Sequence, residues 1–481
     1  MIDEVIATAS TFESQAKAND SKIFLGHKTS AVFHRDLRYE PFKIASASGI
    51  YFHFTNGQKV VDATGGAAVS CIGHGDPRVR DAISAQFDAL DYCHSMFFSC
   101  PSSEELCQAL IDTTNGQMAK AYIVCSGSEA MEAAMKLCRQ YFMELPTAQP
   151  QRTRFIARKQ SYHGTTIGAL SMGGHVGRRE MYEPILSPNI SHVSPCNAYR
   201  GKLSDESTSA YVGRLAKELD DEFQRVGPDT VCAFVAEPVV GAALGCTPAV
   251  EGYFKAIKYV CDKYGALLVM DEVMCGMGRT GTMHAWEQEG VVPDIQTIGK
   301  GLGGGYAPVA GLLAGHRVIN TLREGSGRFS HGQTYQAHPV SCAAALQVQQ
   351  IIQQEGLLDN VTNMGRYLER CLKQRLGNHR YVGDIRGRGL FWGIEFVKDK
   401  VTKAPFDRKL DICMAIHNRG LSLSSNKGIL VYPGNGTADG VLGDHILIAP
   451  AYTVTREQIN LIVDLTVTAI EATFADLACH L

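Results

Sequence analysis

The sequence predicts an α/β fold built on a buried, parallel sheet. Two short apolar runs, 231–236 and 266–270, end on the acids Glu237 and Asp271. Between these runs, apolar residues recur at helical spacing over residues 253–264. A strand, a helix and a second strand within about 40 residues are typical of a βαβ unit, in which the two strands run parallel. Ligands bind at the carboxyl ends of the strands in such sheets, and both acids are expected there.

A lysine follows the next apolar run of the same region. Lys300 stands after residues 295–298 and before a glycine-rich loop. A carboxylate such as Asp271 and a lysine at neighbouring strand ends suit a cofactor that needs an amine anchor and a protonated ring nitrogen. Pyridoxal 5'-phosphate is such a cofactor. Burial would depress the pKa of the lysine, so that its neutral amine could attack the cofactor aldehyde and move protons.

Three motifs near these residues together carry a family resemblance. They read EPVVG over 237–241, MDEVMCGMGRTG over 270–281 and GKGLGGGYAPVAG over 299–311. In this combination they resemble the class III (ω-type) aminotransferases of fold type I. The resemblance implies a large domain with a mainly parallel, seven-stranded sheet flanked by helices, and a smaller α+β domain made from both chain ends.

The resemblance also implies a division of the chain into three segments. Residues 1–70 are expected to be an N-terminal segment that contributes to the small domain. Residues 71–340 would form the large cofactor-binding domain, and residues 341–481 the C-terminal small domain.

The resemblance assigns the central chemistry to four residues. Lys300 forms a Schiff base with pyridoxal 5'-phosphate and serves a ping-pong transfer of an amino group from an amine or amino acid to a 2-oxo acid. Asp271 faces the pyridine nitrogen and keeps it protonated. Val273 lies under the ring, and Glu237 lies near the edge that cofactor and substrate share. A strand-end carboxylate satisfied by backbone donors is the alternative for Glu237.

Five further residues are expected at the cofactor by the same resemblance. Gly127 and Ser128 begin a predicted helix, whose free amides and dipole suit a phosphate; ordinary serine capping is the alternative. Tyr162 would stack on the ring, with His163 beside it. Thr334 would reach the phosphate held by the neighbouring subunit, which implies a homodimer with shared active sites.

Other functions remain open at the level of sequence. A racemase, epimerase or decarboxylase would use the same Lys300–Asp271 pair, because that pair does not fix which bond breaks. A nucleotide-binding protein would use the loop Gly301–Gly305, although Asp294 stands where a P-loop has its first glycine. A fourth possibility is a binding protein that keeps the fold without catalysis. The stretch 445–450 contains no arginine for a substrate carboxylate, so the substrate is open as well.

Composition excludes several classes of partner. The net charge is −3 and no basic run follows a phosphate backbone, so nucleic acid is not expected. No long apolar run suggests a membrane span, and the acidic start over residues 1–20 argues against a signal peptide. The 15 cysteines lack disulfide or zinc spacing, which favours reduced thiols, a cytoplasmic location and no bound metal. The glycine-rich stretch 432–443 is predicted to be an exposed loop.

Overall fold

A computed structural model of the chain describes residues 30–423 and 428–478. The chain divides into a compact unit that ends at Ile44 and a second unit that begins at Ala45. Residues 30–43 form turns and irregular backbone. The expected absence of a signal peptide concerns residues 1–20, which lie outside the described residues. The proposed three-segment division of the chain stays a prediction.

Seventeen strands lie within the described residues and are numbered in chain order. They are β1 Ile44–Ser48, β2 Tyr51–Phe54, β3 Lys59–Asp62, β4 Met118–Val124, β5 Arg154–Arg158, β6 Ile190–Val193, β7 Val231–Ala236, β8 Val239–Val240, β9 Thr247–Pro248, β10 Leu267–Asp271, β11 Ile295–Ile298, β12 Ala310–Gly315, β13 Val382–Arg388, β14 Phe391–Phe396, β15 Gly428–Leu430, β16 Tyr432–Gly434 and β17 His445–Ile448.

Helices connect and cover these strands. The α-helices of the described chain are Gly65–Ala68, Pro77–Ala89, Pro101–Asp112, Gly127–Glu144, Ile167–Met172, Val176–Arg179, Ala198–Gly201, Thr208–Val226, Tyr253–Lys263, Trp286–Glu289, His316–Glu324, Pro339–Gln354, Leu357–Leu376, Ile412–Leu421 and Arg456–Asp476. Short 3₁₀ helices span Glu180–Ile185, Pro228–Thr230, Lys300–Leu302 and Arg408–Leu410.

The largest sheet has seven strands in the order β4-β12-β11-β10-β7-β5-β6. The pairs β11–β10, β10–β7, β7–β5 and β5–β6 are parallel, and only β12 runs against its two neighbours. Strands β7, β10, β11 and β12 are buried along their whole length. The predicted α/β fold with a mainly parallel seven-stranded sheet is therefore confirmed.

Both faces of this sheet carry helices, and β10 shows how its side chains divide between them. Leu267 and Val269 belong to the apolar core that includes the buried face of helix Gly127–Glu144. Leu268 and Met270 belong to the core formed with helices Thr208–Val226 and Tyr253–Lys263. Because side chains alternate along a strand, the next residue, Asp271, falls on the face of helix Gly127–Glu144. Asp271, the acid expected at a strand end, therefore lies on the side of the sheet that this helix covers.

Two smaller sheets accompany the large one. One has the order β1-β2-β3-β15 and the other β13-β14-β17-β16. Strands β2 and β3 form a hairpin: they are antiparallel, and Gly57 in the turn between them has φ +85°. In the same sheet, β15 pairs parallel with β3, so a late segment of the chain completes an early one.

The prediction that residues 432–443 form an exposed loop is wrong. The segment contains β16, and Gly436, Thr437, Gly440 and Gly443 are buried. The carbonyl oxygen of Gly436 accepts a hydrogen bond from Gln160 Nε2 at 2.6 Å. Its glycines therefore permit close packing and do not mark a solvent-exposed loop.

One helix of the described chain is long and apolar enough to span a membrane. By length and a mean hydropathy of 1.2, helix Arg456–Asp476 could cross a bilayer, and 56% of its most apolar stretch is buried inside the protein. It packs against helices Leu357–Leu376 and Ile412–Leu421. A buried core helix passes the same test of length and composition.

Glycine at position 365 is expected to be required by packing. Gly365 is buried in helix Leu357–Leu376, and an added Cβ would collide with the carbonyl oxygen of Gly389. We expect Gly365→Ala to destabilise the protein by about 1–3 kcal/mol, because backbone cannot yield as a side chain does. The measurement is the shift of the thermal unfolding midpoint.

A second helical glycine provides the matched control. Gly213 is exposed in helix Thr208–Val226, and an added Cβ there meets no atom within 4 Å. Alanine has the higher helix propensity, so Gly213→Ala should stabilise by up to about 1 kcal/mol. Shifts of the same sign and size for the two variants would contradict the packing argument.

Candidate active site

A cavity of about 280 Å³ opens where β7, β10 and β11 end. It collects eight of the nine site residues predicted from the sequence: Gly127, Ser128, Tyr162, His163, Glu237, Asp271, Val273 and Lys300. These residues come from segments far apart in the chain, and the order of the strands brings them together.

Asp271 is the most heavily hydrogen-bonded side chain of the cavity. It is 4% exposed and is the last residue of β10. One carboxylate oxygen accepts hydrogen bonds from the amide of Val273 at 3.0 Å and from the hydroxyl of Thr297 at 3.1 Å. The other oxygen lies 2.7 Å from Nδ1 of His163, which acts as the donor when the carboxylate is charged. Both oxygens of this buried side chain therefore have hydrogen-bond donors.

His163 contributes a polar atom that is not used inside the protein. The residue is 2% exposed, and its Nε2 has no hydrogen-bond partner among the described residues. A buried polar group without a partner is uncommon and is costly unless a ligand satisfies it. This atom is therefore one sign that the cavity holds a polar ligand.

Lys300 follows β11 in a backbone conformation that lysine seldom adopts. Its φ is +47°, at the start of the 3₁₀ helix Lys300–Leu302. Burial lowers the pKa of its amine, although the carboxylates of Asp271 and Glu237 act in the opposite direction. A lowered pKa increases the neutral fraction of an amine, which is the form that attacks a carbonyl group. Backbone strain at such a position is typical of functional residues.

Glu237 is held by the backbone around it. It is 5% exposed, and its two oxygens accept hydrogen bonds from the amides of Tyr162 at 3.0 Å and Gly241 at 3.2 Å. Burial raises the pKa of Glu237, and the neighbouring charge of Asp271 adds to the rise. Glu237 therefore has the backbone donors expected of a strand-end carboxylate. Its side chain also lines the cavity.

The amino end of helix Gly127–Glu144 forms another wall of the cavity. An added Cβ at Gly127 would lie 2.8 Å from Val273 Cγ1, and one at Gly164 would lie 2.9 Å from Ser128 Cα, so both glycines allow a close backbone approach. Ser128 Oγ accepts a hydrogen bond from the amide of Thr165 at 3.0 Å and keeps its own hydrogen for a ligand. An 18-residue helix that begins with free amides provides an anion site.

Thr334 does not line this cavity. Its side chain is exposed, and its carbonyl oxygen accepts a hydrogen bond from the hydroxyl of Tyr92 at 3.0 Å. The expectation that Thr334 serves the neighbouring subunit stays a prediction.

The sequence analysis missed several residues of the site. Thr297 on β11 donates its hydroxyl to Asp271, a contact that depends on strand register and that no sequence motif marks. Other missed positions form the remaining lining: Val69, Cys125, Ser126, Gly164, Ala242, Met274, Gly305, Ala307, Pro308 and Val309. Met274, Gly305, Ala307, Pro308 and Val309 lie within the motifs 270–281 and 299–311, but nothing in the sequence singled them out as lining residues.

Taken as a set, these groups define a site for a phosphorylated aldehyde cofactor. An amine with a lowered pKa, a buried carboxylate for a ring nitrogen, the unpaired His163 Nε2 and a helix terminus for an anion are what pyridoxal phosphate requires. The residues present therefore fit that cofactor.

Comparisons with known proteins give the family. Residues 33–470 match the model of the class III aminotransferases. An aminotransferase of Gibberella zeae is 55% identical over 428 residues, which cover 89% of this chain and 83% of the relative. A chloroplastic gamma aminobutyrate transaminase of Solanum lycopersicum is 32% identical over 462 residues, covering 94% of this chain and 86% of that protein.

A solved structure agrees with these relatives. The omega transaminase of Pseudomonas jessenii in complex with PMP superposes with a TM-score of 0.85 at 30% identity, covering 96% of this chain and 98% of that one. The chain belongs to the class III aminotransferases. It is a pyridoxal-phosphate-dependent enzyme that carries out transamination, and this sets aside the racemase, decarboxylase, nucleotide-binding and non-catalytic alternatives.

Replacing the buried carboxylate should test its electrostatic role. In Asp271→Asn the shape of the side chain is kept and the charge is lost. We expect kcat to fall roughly a hundredfold to a thousandfold, or about 3–4 kcal/mol, the scale of a preorganised electrostatic contact. Steady-state transamination kinetics provide the measurement. Asp81→Asn, at an exposed position of helix Pro77–Ala89, is the control, and an unchanged kcat in Asp271→Asn would remove Asp271 from this role.

Proposed function

We propose that Lys300 is the amine that holds pyridoxal phosphate and moves protons during transamination. The observation that carries this proposal is the place of Lys300 in the cavity that also contains Asp271, where burial lowers the pKa of its amine. When bound, the cofactor supplies an aldehyde open to amines and a ring that accepts an electron pair. The neutral Nζ of Lys300 can take a proton from one carbon and return it to another, which a permanently charged ammonium cannot do.

The other site residues have distinct tasks in this proposal. Asp271 would stabilise a positive charge on the ring nitrogen, since its own charge is fixed by three donors. Gly127 and Ser128 would bind the phosphate through the helix terminus. Tyr162 and Val273, both in the lining, would orient the ring from its faces.

Removal of the amine tests the proposal directly. We expect Lys300→Ala to lose transamination by at least a thousandfold, on the order of 4 kcal/mol or more, because the anchor and the proton carrier are lost together. Phosphate contacts should preserve much of the cofactor content after purification. The readouts are initial rates and the amount of pyridoxal phosphate released on denaturation.

A second lysine variant controls for nonspecific effects. Lys398 is exposed just after β14, and Lys398→Ala should keep both rate and cofactor content. Wild-type turnover by Lys300→Ala would show that another residue holds the cofactor.

We also propose a homodimer in which Thr334 contacts the partner's cofactor phosphate. An exposed apolar patch supports an interface at this place: Tyr92, Met96, Phe97, Phe98 and Tyr335 are between 37% and 76% exposed. The hydroxyl of Tyr92 donates to Thr334, so the patch adjoins that residue. Contiguous exposed apolar side chains on a folded chain commonly mark a protein interface. A two-fold interface would place the two patches against each other.

Mixed dimers would show whether each active site uses two chains. Lys300→Ala and Thr334→Ala chains, each weakened alone, are combined under conditions of subunit exchange. If Thr334 crosses the interface, a heterodimer has one site with both lesions and one intact site, and recovers up to about half the wild-type activity.

Two differently tagged chains allow the mixed dimers to be isolated. Isolated heterodimers that show no more activity than the average of the parent dimers would place Thr334 in its own chain's site or outside any site.

Two remaining features complete the proposal. We propose a cytoplasmic location, which agrees with the free thiols of all cysteines in the described part of the chain. The substrates proposed are an amine or amino acid as donor and a 2-oxo acid as acceptor, in line with the transaminases to which this chain is similar.

A further inference from the structure

A 2-oxo acid brings a carboxylate into the site, and the cavity lining offers little to bind it. The basic side chains of the lining are Lys300 and His163. Lys300 is needed as a neutral amine, and His163 is engaged with Asp271. A carboxylate in a partly buried site requires a charged donor, most often an arginine. That donor must come from beyond the first layer of side chains.

Arg178 lies against an aromatic side chain of the lining, Tyr162. Its guanidinium carbon is 4.7 Å from the centre of the Tyr162 ring, a cation–π distance. The residue is partly buried in the short helix Val176–Arg179. Within residues 30–423 and 428–478, the guanidinium makes no ion pair and no hydrogen bond. No described residue therefore takes up its five N–H donors.

The adjacent arginine shows the opposite situation. Arg179 donates to the carbonyl oxygens of Ser171 and Gly173 and pairs with Glu183 at 2.8 Å. These bonds fix the segment that carries Arg178, so the unpaired guanidinium is presented from a rigid support. Two neighbouring arginines thus differ in use, one structural and one free.

Other arginines around the cavity are already committed. Arg158 is 1% exposed and donates to the carbonyl oxygen of Glu237. Arg386 donates to Thr247 and pairs with Glu395 and Asp384. Arg386 therefore has no free edge for a substrate, and Arg158, although its Nε has no partner among the described residues, is buried outside the cavity lining.

A neutral histidine adjoins Arg178. His175 lies nearby, and burial, with the charge of Arg178, lowers its pKa to about 4, so it is neutral at physiological pH. The buried segment 432–443 closes this side: Gly440 packs against Val176, and Gly436 accepts a hydrogen bond from Gln160. The guanidinium is thus a partly desolvated cation beside the aromatic wall of the active site.

We propose that Arg178 binds the carboxylate of the 2-oxo acid, and of the amino acid formed from it, and so determines specificity for carboxylate-bearing substrates. The inference rests on the proposed function of the Lys300 site. The Tyr162 ring centre lies 4.7 Å from the guanidinium carbon, and a guanidinium beside a ring can still offer its planar edge to two carboxylate oxygens. Substrates without a carboxylate would not need this residue.

The test compares ligands that differ in the carboxylate alone. Inhibition of transamination by propionate and by its uncharged analogue propionamide is measured for wild type, Arg178→Gln and Arg178→Lys, together with KM for pyruvate. We expect Arg178→Gln to raise the propionate inhibition constant and the pyruvate KM about tenfold to a hundredfold, the value of hydrogen bonds to a charged group. Propionamide inhibition and kcat should stay within about twofold, and Arg178→Lys should recover part of the loss.

Controls separate this inference from the proposed function. Arg366→Ala, at an exposed position of helix Leu357–Leu376, should leave every constant unchanged. Equal weakening of propionate and propionamide would show that Arg178 only supports Tyr162 and would overturn the inference, as would no change at all. Transamination activity that survives the Lys300→Ala substitution would instead refute the proposed role of Lys300. Thermal unfolding of Arg178→Gln and Arg178→Lys confirms that the compared chains are folded.

Discussion

The site depends on keeping one buried carboxylate charged. Burial of an unpaired charge costs several kcal/mol, and Asp271 avoids that cost because donors from three places converge on it. One of them, Thr297, is the residue opposite Asp271 in the β10–β11 register. Lys300 follows the same strand, so the register that satisfies the acid also sets the position of the amine. A slip of one residue would turn Asp271 to the other face of the sheet and lose both.

Burial favours the uncharged forms of both an acid and a base in the cavity. It favours the neutral form of Lys300 and the neutral form of Glu237. Lys300 and Glu237 therefore contribute little charge to the cavity. A phosphate in such a place must be met by dipoles, and the amides that begin helix Gly127–Glu144 supply them without a side-chain cation. Fixed dipoles need no reorganisation when charge develops during a reaction.

The sequence was most informative where burial is continuous. Strands β7 and β10 appear as continuous apolar runs up to their terminal acids, because parallel strands are covered on both faces. β12 was missed because its AGLLAG sequence extends the preceding glycine-rich loop, and β6 because its sequence, ISHV, is short and half polar. Thr297 and Arg178 could not be predicted, because a hydrogen bond across strands and a stacking contact depend on register and on tertiary packing. The motif residues were predictable because their spacing is specific.

The pairing of β3 with β15 has a consequence for synthesis of the chain. Val60 lies beside Gly428, so the two partners are separated by most of the polypeptide. While the ribosome is still translating, β3 has an open edge that no later strand has yet covered. Loop closure over so long a segment is slow, and exposed strand edges can pair with other chains. The newly made protein therefore remains open to aggregation, or to capture by chaperones, until residues 428–430 have emerged and can pair with β3.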